Sequence, residues 1–149
     1  MADLRQFSTR IRKLGLSIQA NADNLTKRVA VAVDSTVVLE TPVDTGRARS
    51  NWQVDINNDP QGSFEPFFPG EAGSTGGQNA QAAIDDGKQI ISTYNAGDTI
   101  HIVNNLGYIG ALNDGTSAQA PAGFVEEAVE NGIRMVKGAK IVDYKVSEI

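Results

Sequence analysis

Apolar side chains recur every three or four residues through the first forty positions of the chain, which is the period of one face of a helix. The stripe consists of Leu4, Phe7, Ile11, Leu14, Ile18, Leu25, Val29, Val33 and Val37, with Ala22 bridging the gap after Ile18. It predicts one long helix over residues 3–40, with weak points at Gly15 and 21–24. Pro42 ends this helix, because the residue before a proline is pushed out of the helical region. From Ala30 onward apolar residues lie on more than one face, which indicates burial.

Three later segments alternate apolar and polar residues, as half-buried strands do. They are residues 51–57, 99–103 and 140–146. Apolar spacing predicts further helices over residues 80–93, 107–113 and 121–137, the last of them closed by Gly138. This order predicts a single α+β domain over residues 1–149, in which the long N-terminal helix and a second helix pack on a small, mainly antiparallel sheet. The exposed edges of so small a sheet invite pairing with a neighbouring chain.

Residues 58–79 are rich in glycine and proline and show no apolar period. A structureless stretch of about 20 residues inside a compact domain is usually functional or disordered. This stretch holds Phe64, Phe67 and Phe68, three of the five phenylalanines of the chain. We therefore predict a long Gly/Pro-rich loop that is flexible in the free subunit and docks on a partner through these three rings.

Composition narrows the functional classes. The chain has no cysteine, so disulfides and thiolate metal sites are excluded. It has neither an apolar run near the roughly 20 residues of a membrane span nor a secretory signal at its start. We therefore expect no membrane partner and assembly in a reducing interior.

The net charge of −5 divides into +3 over residues 1–50 and −8 over residues 51–149. An acidic protein is a poor sequence-independent DNA binder, because neutralising phosphates needs clustered cations. Arg5 and Arg12, together with Arg10 and Lys13, form a small basic cluster. Arg5 and Arg12 are candidate contacts for an acidic partner, and a solvated helix face is the alternative.

Asp44-Thr45-Gly46 is the triplet of retroviral-type aspartic proteases, in which two chains each contribute one carboxylate and share a proton. That triplet normally follows an apolar strand, whereas a helix end and Pro42 precede it here. The nearby Arg47 favours an ionised carboxylate, which opposes a shared proton. We predict instead a structural turn, in which Asp44 caps residues 45–50 by accepting backbone N–H groups and Gly46 permits the tight path.

Two other positions are predicted to shape the ends of helices. Gly115 is a left-handed C-cap after the helix over 107–113, and Pro121 is the first residue of the next helix. The single histidine, His101, has no neighbours at the spacing of a metal site or a catalytic triad. Residues 73–77 are glycine-rich but lack the Lys-Ser/Thr of a P-loop. We expect no catalytic residue, cofactor or metal ion.

Two motifs in this chain resemble the small tail-component family of tailed bacteriophages. The first, at residues 41–52, is Thr-Pro-Val-Asp-Thr-Gly followed by a short basic stretch and a strand. The second, at residues 108–124, is Tyr, a short helix, Gly-Thr-Ser, Gln-Ala-Pro and an apolar helix. The chain departs from the family pattern at Asn113, where many relatives have Glu.

The resemblance implies a non-enzymatic virion protein that forms a ring, commonly a hexamer, at the head–tail neck or the tail end. Its partners would be further copies of itself and neighbouring connector and tail proteins, with DNA passing through the lumen only as cargo. It would be assembled in the host cytoplasm and would end in the virion. The alternatives are a tail terminator that caps the tube, a dimeric aspartic protease, and a peptide-binding adaptor that uses an exposed sheet edge.

Overall fold

The computed structural model describes residues 3–137 of the chain. Its elements in chain order are α1 (Leu4–Glu40), α2 (Arg47–Ser50), β1 (Trp52–Ile56), α3 (Gly76–Ile91), β2 (Ile100–Asn104), α4 (Ile109–Asn113) and α5 (Phe124–Met135). The predicted α+β class is confirmed, with a long N-terminal helix, further helices and a small antiparallel sheet. The predicted strand at 140–146 and the predicted helix end at Gly138 lie outside the described residues.

Helix α1 continues through both predicted weak points, Gly15 and 21–24. Asp3 caps its first turn by accepting the Arg5 N–H at 3.2 Å. The helix ends at Glu40, and the backbone of the following Thr41 is extended, as expected of a residue before proline. With 37 residues and a rise of about 1.5 Å per residue, α1 is about 55 Å long. Its buried residues all lie at or after Ala30, so its first half is largely exposed.

Strands β1 and β2 pair antiparallel, from Trp52 opposite Asn104 to Ile56 opposite Ile100. Each strand lies within one residue of its predicted bounds. Trp52 and Val54 are buried, as their alternation with polar residues predicts. The sheet therefore has an inner face that joins the core and an outer face of mixed polarity.

The core lies where the second half of α1 packs against α5, α3 and β1. Its largest cluster consists of Val37, Val38, Trp52, Ala80, Ala83, Ile84 and Ala128. Helix α5 approaches α1 closely because Gly132 lies against the α1 backbone, where a Cβ atom would stand 2.7 Å from the Val33 Cα atom. In an interior packed this densely, any larger residue at position 132 would push the two helices apart.

Several helix boundaries differ from the predicted ones. Helix α3 begins at Gly76 rather than at residue 80, so the segment without helix or strand is 57–75 rather than 58–79. Helix α5 ends two residues before the predicted end at 137. Its predicted start at Pro121 is wrong: the helix begins at Phe124, because Gly123 precedes it with a φ of 78°, which lies outside the right-handed helical region.

Candidate functional site

The two sequence motifs, residues 41–52 and 108–124, meet at one place in the folded chain. Between them opens a cleft of about 700 Å³, with residues 42–48 on one side. The other sides are formed by Glu65, Pro66, Pro69, Gly70, Tyr108, Leu112, Ser117 and Gln119. We call this region, comprising the two motifs, the segment 57–75 and Asn79, the motif corner.

Gln119 joins the two motifs through the backbone of Val43. Its Oε1 atom accepts the Val43 N–H at 2.9 Å, and its Nε2 atom donates to the Val43 carbonyl at 2.9 Å. A carboxamide carries an acceptor and donors in one plane, so it can satisfy both polar groups of a backbone residue. The second motif thus gives the backbone of the first motif the hydrogen-bond partners that a neighbouring strand would give it in a sheet.

Two buried asparagines hold the segment 57–75 in the same way. Asn51 accepts the Phe64 N–H at 2.9 Å and donates to the Phe64 carbonyl at 2.8 Å. Asn79 accepts the Phe68 N–H at 2.8 Å and donates to the Phe68 carbonyl at 2.8 Å. Both asparagines are fully buried, and a buried hydrogen bond left unmade costs about 1–3 kcal/mol. Side chains therefore fix this irregular backbone at defined points.

Ser50 adds a further attachment point beside the Asn79 contact. Its hydroxyl donates to the Asn79 Oδ1 atom at 2.8 Å and accepts the Phe67 N–H at 3.2 Å. The flexibility predicted for this segment in the free subunit stays a prediction. The contacts at Phe64, Phe67 and Phe68 favour flexibility that is confined to the stretches between these attachment points.

Asp44 accepts a backbone N–H, but not from the predicted turn. Its Oδ1 atom accepts the Ala72 N–H at 3.0 Å, and its carbonyl accepts the Gly73 N–H at 2.8 Å. The prediction that Asp44 caps residues 45–50 is wrong, because the folded chain brings the N–H groups of residues 72 and 73 to Asp44. Ala72 has a φ of 51°, a left-handed conformation that costs a non-glycine residue about 1–2 kcal/mol. Asp44 therefore stabilises a strained turn in a distant segment.

Gly46 is required at its position for two reasons. Its φ of 89° lies in the left-handed region that glycine adopts without steric cost. A Cβ atom at this position would also overlap the Nδ2 atom of Asn79. The structure therefore confirms that Gly46 permits the tight path. The next contact in this turn is weak: the Thr45 hydroxyl accepts the Arg47 N–H at 3.4 Å.

Arg49 is one of the residues of the first motif that sequence reasoning missed, together with Ser50 and Asn51. Its guanidinium donates to the carbonyls of Thr41 at 2.9 Å, Leu39 at 3.0 Å and Gly76 at 3.3 Å. The last carbonyls of a helix lack partners within the helix, and a cation there also complements the helix dipole. Partial burial lowers the pKa of Arg49 from its ordinary value. Arg49 lies between the end of α1 and the start of α3, and this position, which only the fold shows, identifies its role.

Phe64, Phe67 and Phe68, which we call the aromatic patch, present their rings to solvent with exposed fractions between 37 and 47%. The ring centroids of Phe64 and Phe67 are 5.3 Å apart, with the planes tilted by 50°. Arg47 donates to the Phe64 carbonyl at 3.3 Å, beside the contact from Asn51. The backbone under the patch is thus held in place while its apolar side chains remain exposed, an arrangement typical of contact surfaces.

The second motif contains two helix caps. Gly115 follows α4 with a φ of 93°, which confirms the predicted left-handed C-cap. Asn113 caps α5, because its Oδ1 atom accepts the Val125 N–H at 2.9 Å and its Nδ2 atom donates to the Glu126 carboxylate at 2.9 Å. The same hydrogen bond lowers the pKa of Glu126. Pro121 lies in the connection between Gly115 and α5 and begins no helix.

The remaining candidate residues lie elsewhere. Arg5 and Arg12 are on the exposed first half of α1 and do not line the cleft. His101 lies on β2, opposite Asp55 of β1. Within residues 3–137, no group of three or more His, Cys, Asp or Glu side chains is placed to hold a metal ion. No helix in that part of the chain is long and apolar enough to cross a membrane.

Asp34 is a buried carboxyl group outside the motif corner. It is 1% exposed, and its Oδ1 atom has no hydrogen-bond partner. A Cβ atom at Gly87 of α3 would overlap its Oδ2 atom, so the group lies at the packing interface of α1 with α3. Burial, and to a smaller extent the charge of Asp86, raises the pKa of Asp34 to about 7.

Comparison of the chain with protein-family models, with curated proteins and with solved structures found no match.

Proposed function

We propose that this protein is a structural subunit of a tailed-phage particle, which forms a ring at the head–tail neck or completes the tail. Its support is the pair of motifs at residues 41–52 and 108–124, which occur here in the order of the tail-component family that the sequence resembles. The partners are further copies of the chain and neighbouring connector and tail proteins. DNA passes through the lumen, and the virion is the final location.

The observation that carries the proposal is the way in which the motif corner uses its polar side chains. Gln119, Asn51 and Asn79 each pair with both polar groups of one backbone residue. Side chains occupied in this way make a defined surface and position other groups. The corner leaves the aromatic patch exposed, together with Tyr108, and aromatic residues are enriched where proteins contact each other.

The charge distribution is compatible with DNA as passing cargo. Residues 51–149 carry a net charge of −8. A lumen lined by such a surface would repel phosphates and let DNA slide. The aspartic protease alternative has less support: Asp44 already accepts the Ala72 N–H, and the triplet it begins leads into α2 and follows no apolar strand.

A native mass measurement of the purified chain separates the alternatives. A hexamer or dodecamer supports the ring. A dimer that cleaves peptides, and loses that activity in Asp44→Asn, would replace the proposal with the protease. A monomer that binds extended peptides would replace it with the adaptor. A tail terminator belongs to the same structural class, and location by electron microscopy of the particle distinguishes it from a neck protein.

The aromatic patch offers a sharper test in the phage that carries this gene. A triple variant with Phe64, Phe67 and Phe68 changed to Ser removes the rings but keeps the backbone contacts of Asn51 and Asn79. We expect a folded subunit and a lysate in which separate heads and tails accumulate. Met135→Ser, which also removes an exposed apolar side chain, is the control and should leave the particles intact. Full infectivity of the triple variant would contradict the role given to the patch.

A further inference from the structure

The first half of α1 carries an apolar stripe that faces solvent. Leu4 is 83% exposed, and Phe7, Ile11 and Ile18 are exposed as well. With the half-buried Leu14 they are spaced alternately by three and four residues. That spacing is the pattern of a helix that packs lengthwise against another helix. We call residues 4–20 the arm, and these five side chains the arm stripe.

The arm stripe continues into an open groove. Ala22, Leu25 and Val29 extend it along the same helix face, since they follow Ile18 at helical spacing. Leu25 and Val29 line a groove of about 580 Å³ between α1 and β2, with Ile100 and Ile102 on its other side. One face of α1 is therefore an exposed apolar ridge at its N-terminal end and the wall of an apolar groove farther along.

We propose that the α1 helices of two copies of this chain pack antiparallel, so that the arm of each copy fills the groove of the other. The opposed pairs are Leu14 with Ile18, Ile11 with Ala22, Phe7 with Leu25, and Leu4 with Val29. Each pair places an apolar side chain against an apolar side chain. The contact is its own two-fold mate, so every pair occurs twice and the interface closes on itself.

Charge selects the antiparallel orientation. The arm and its cap carry four cations, Arg5, Arg10, Arg12 and Lys13, against the single acidic residue Asp3. A parallel pair would set two such clusters side by side, where like charges repel. Residues 17–26 contain no cation and one acidic residue, Asp23. The antiparallel pair places Arg10, Arg12 and Lys13 beside this stretch of the other copy, while Arg5 comes level with Lys27 and Arg28.

The ends of the pair are also complementary. Asp3 and Arg28 are 25 positions apart, which is about seven helical turns, so both flank the apolar stripe on the same side. In the antiparallel pair Asp3 of one copy comes beside Arg28 of the other, and the same contact forms at the opposite end. In a parallel pair Asp3 and Arg28 would instead lie at opposite ends of the two helices, too far apart to interact.

Single-cysteine variants test the pairing directly, since the chain has no native cysteine. We expect an oxidised mixture of Ile11→Cys and Ala22→Cys to give a disulfide-linked dimer containing one chain of each kind. A disulfide requires Cα atoms within about 7 Å, so the product identifies opposed positions. Leu16→Cys is the matched control, because Leu16 is exposed on the opposite side of the same helix, and it should remain unlinked.

Two outcomes of this cross-linking experiment would contradict the antiparallel pairing. Ile11→Cys that links to itself and not to Ala22→Cys would show a parallel pair and overturn the proposal. The absence of a linked dimer from the mixture would overturn it too.

Sedimentation gives an independent readout. We expect the wild type to sediment as a dimer or a multiple of it, and the double variant Phe7→Glu with Ile11→Glu to lose the two-fold contact. Leu16→Glu should behave as the wild type, and equal helix content by circular dichroism separates lost pairing from lost folding. A wild type that is monomeric at every concentration would overturn the proposal, and the stripe would then belong to another protein or to another part of the chain.

The pairing and the proposed function fail separately. If the double variant forms a ring of the same mass as the wild type, the pairing is wrong and the neck assignment is unaffected. If the cysteine variants form the linked dimer but the protein is absent from phage particles, the neck assignment is wrong and the pairing is unaffected.

Discussion

The arm and the motif corner acquire their order by opposite routes. In the arm, each backbone group pairs with another about four residues away along the same helix, so no distant residue is needed. In the motif corner the backbone of residues 57–75 forms no helix or strand, and the side chains of Asn51 and Asn79 supply partners at Phe64 and Phe68. Gln119 does the same for the backbone of Val43. Regular structure organises the first region, and specific side chains organise the second.

This difference gives their exposed apolar residues different meanings. The arm stripe is a long ridge repeated by helix geometry, which suits another helix of the same length. The aromatic patch is a compact group of rings on a fixed backbone, which suits a pocket on a partner of different shape. Changes to the buried asparagines of the corner should therefore alter folding as well as assembly, whereas changes in the arm should alter assembly alone.

The largest expected effect is that of Asn79→Ala in the motif corner. The change leaves the Phe68 N–H and carbonyl and the Ser50 hydroxyl without their partner. At about 1–3 kcal/mol for each unsatisfied buried group, the free energy of unfolding should fall by roughly 3–5 kcal/mol in urea denaturation. Gln78→Ala, at an exposed neighbouring position, should change it by less than about 0.5 kcal/mol. Equal losses in the two variants would contradict the role given to Asn79.

A somewhat smaller effect is expected at Asp34, a buried polar group that lacks the hydrogen bonds of the corner asparagines. Its pKa is about 7 in the folded chain, against 3.8 for the ordinary group. Below pH 3.8 both the folded and the unfolded chain hold this proton. Between pH 3.8 and about 7 only the unfolded chain releases it, so the free energy of unfolding falls as the pH rises. Above that window the loss is constant.

The change that Asp34→Asn makes to the free energy of unfolding should therefore be more favourable at pH 8 than at pH 4, by up to roughly 4 kcal/mol. The measurement is the pH dependence of urea denaturation for both proteins. Asp85→Asn, which changes an exposed carboxylate on α3, is the control and should keep the slope of the wild type. A wild type whose stability does not fall between pH 4 and pH 7 would show that Asp34 is ionised at little cost.

The smallest expected effect is that of Leu4→Ala in the arm. Leu4 is largely exposed, so at concentrations where the chain is monomeric its stability should change by less than about 0.5 kcal/mol. Val37→Ala, in the buried half of the same helix, should cost about 2 kcal/mol because it leaves a cavity. Thermal denaturation of the two variants gives the comparison. A large loss from Leu4→Ala in the monomer would show that the arm contributes to the fold of its own chain.

Features that depend on near neighbours were predictable from the sequence. The apolar period predicts α1, and alternation predicts β1 and β2 to within one residue of their observed bounds. Gly46 and Gly115 were identifiable because a tight turn and a helix end each need a backbone conformation that glycine adopts readily. The predictions for Pro121 and Asp44 were wrong because proline and aspartate each suit more than one local structure, and the sequence does not show which one forms.

The sequence by itself thus determined the elements of this protein and the presence of an apolar stripe on its first helix. The tertiary structure alone decided which side chains hold the motif corner together, and which half of α1 is covered. Gln119 binds Val43 across 76 positions of sequence, and Ser50 binds Asn79 across 29 positions. Helical and strand periods arise from contacts within a few residues, whereas these hydrogen bonds join residues that only the tertiary fold brings together.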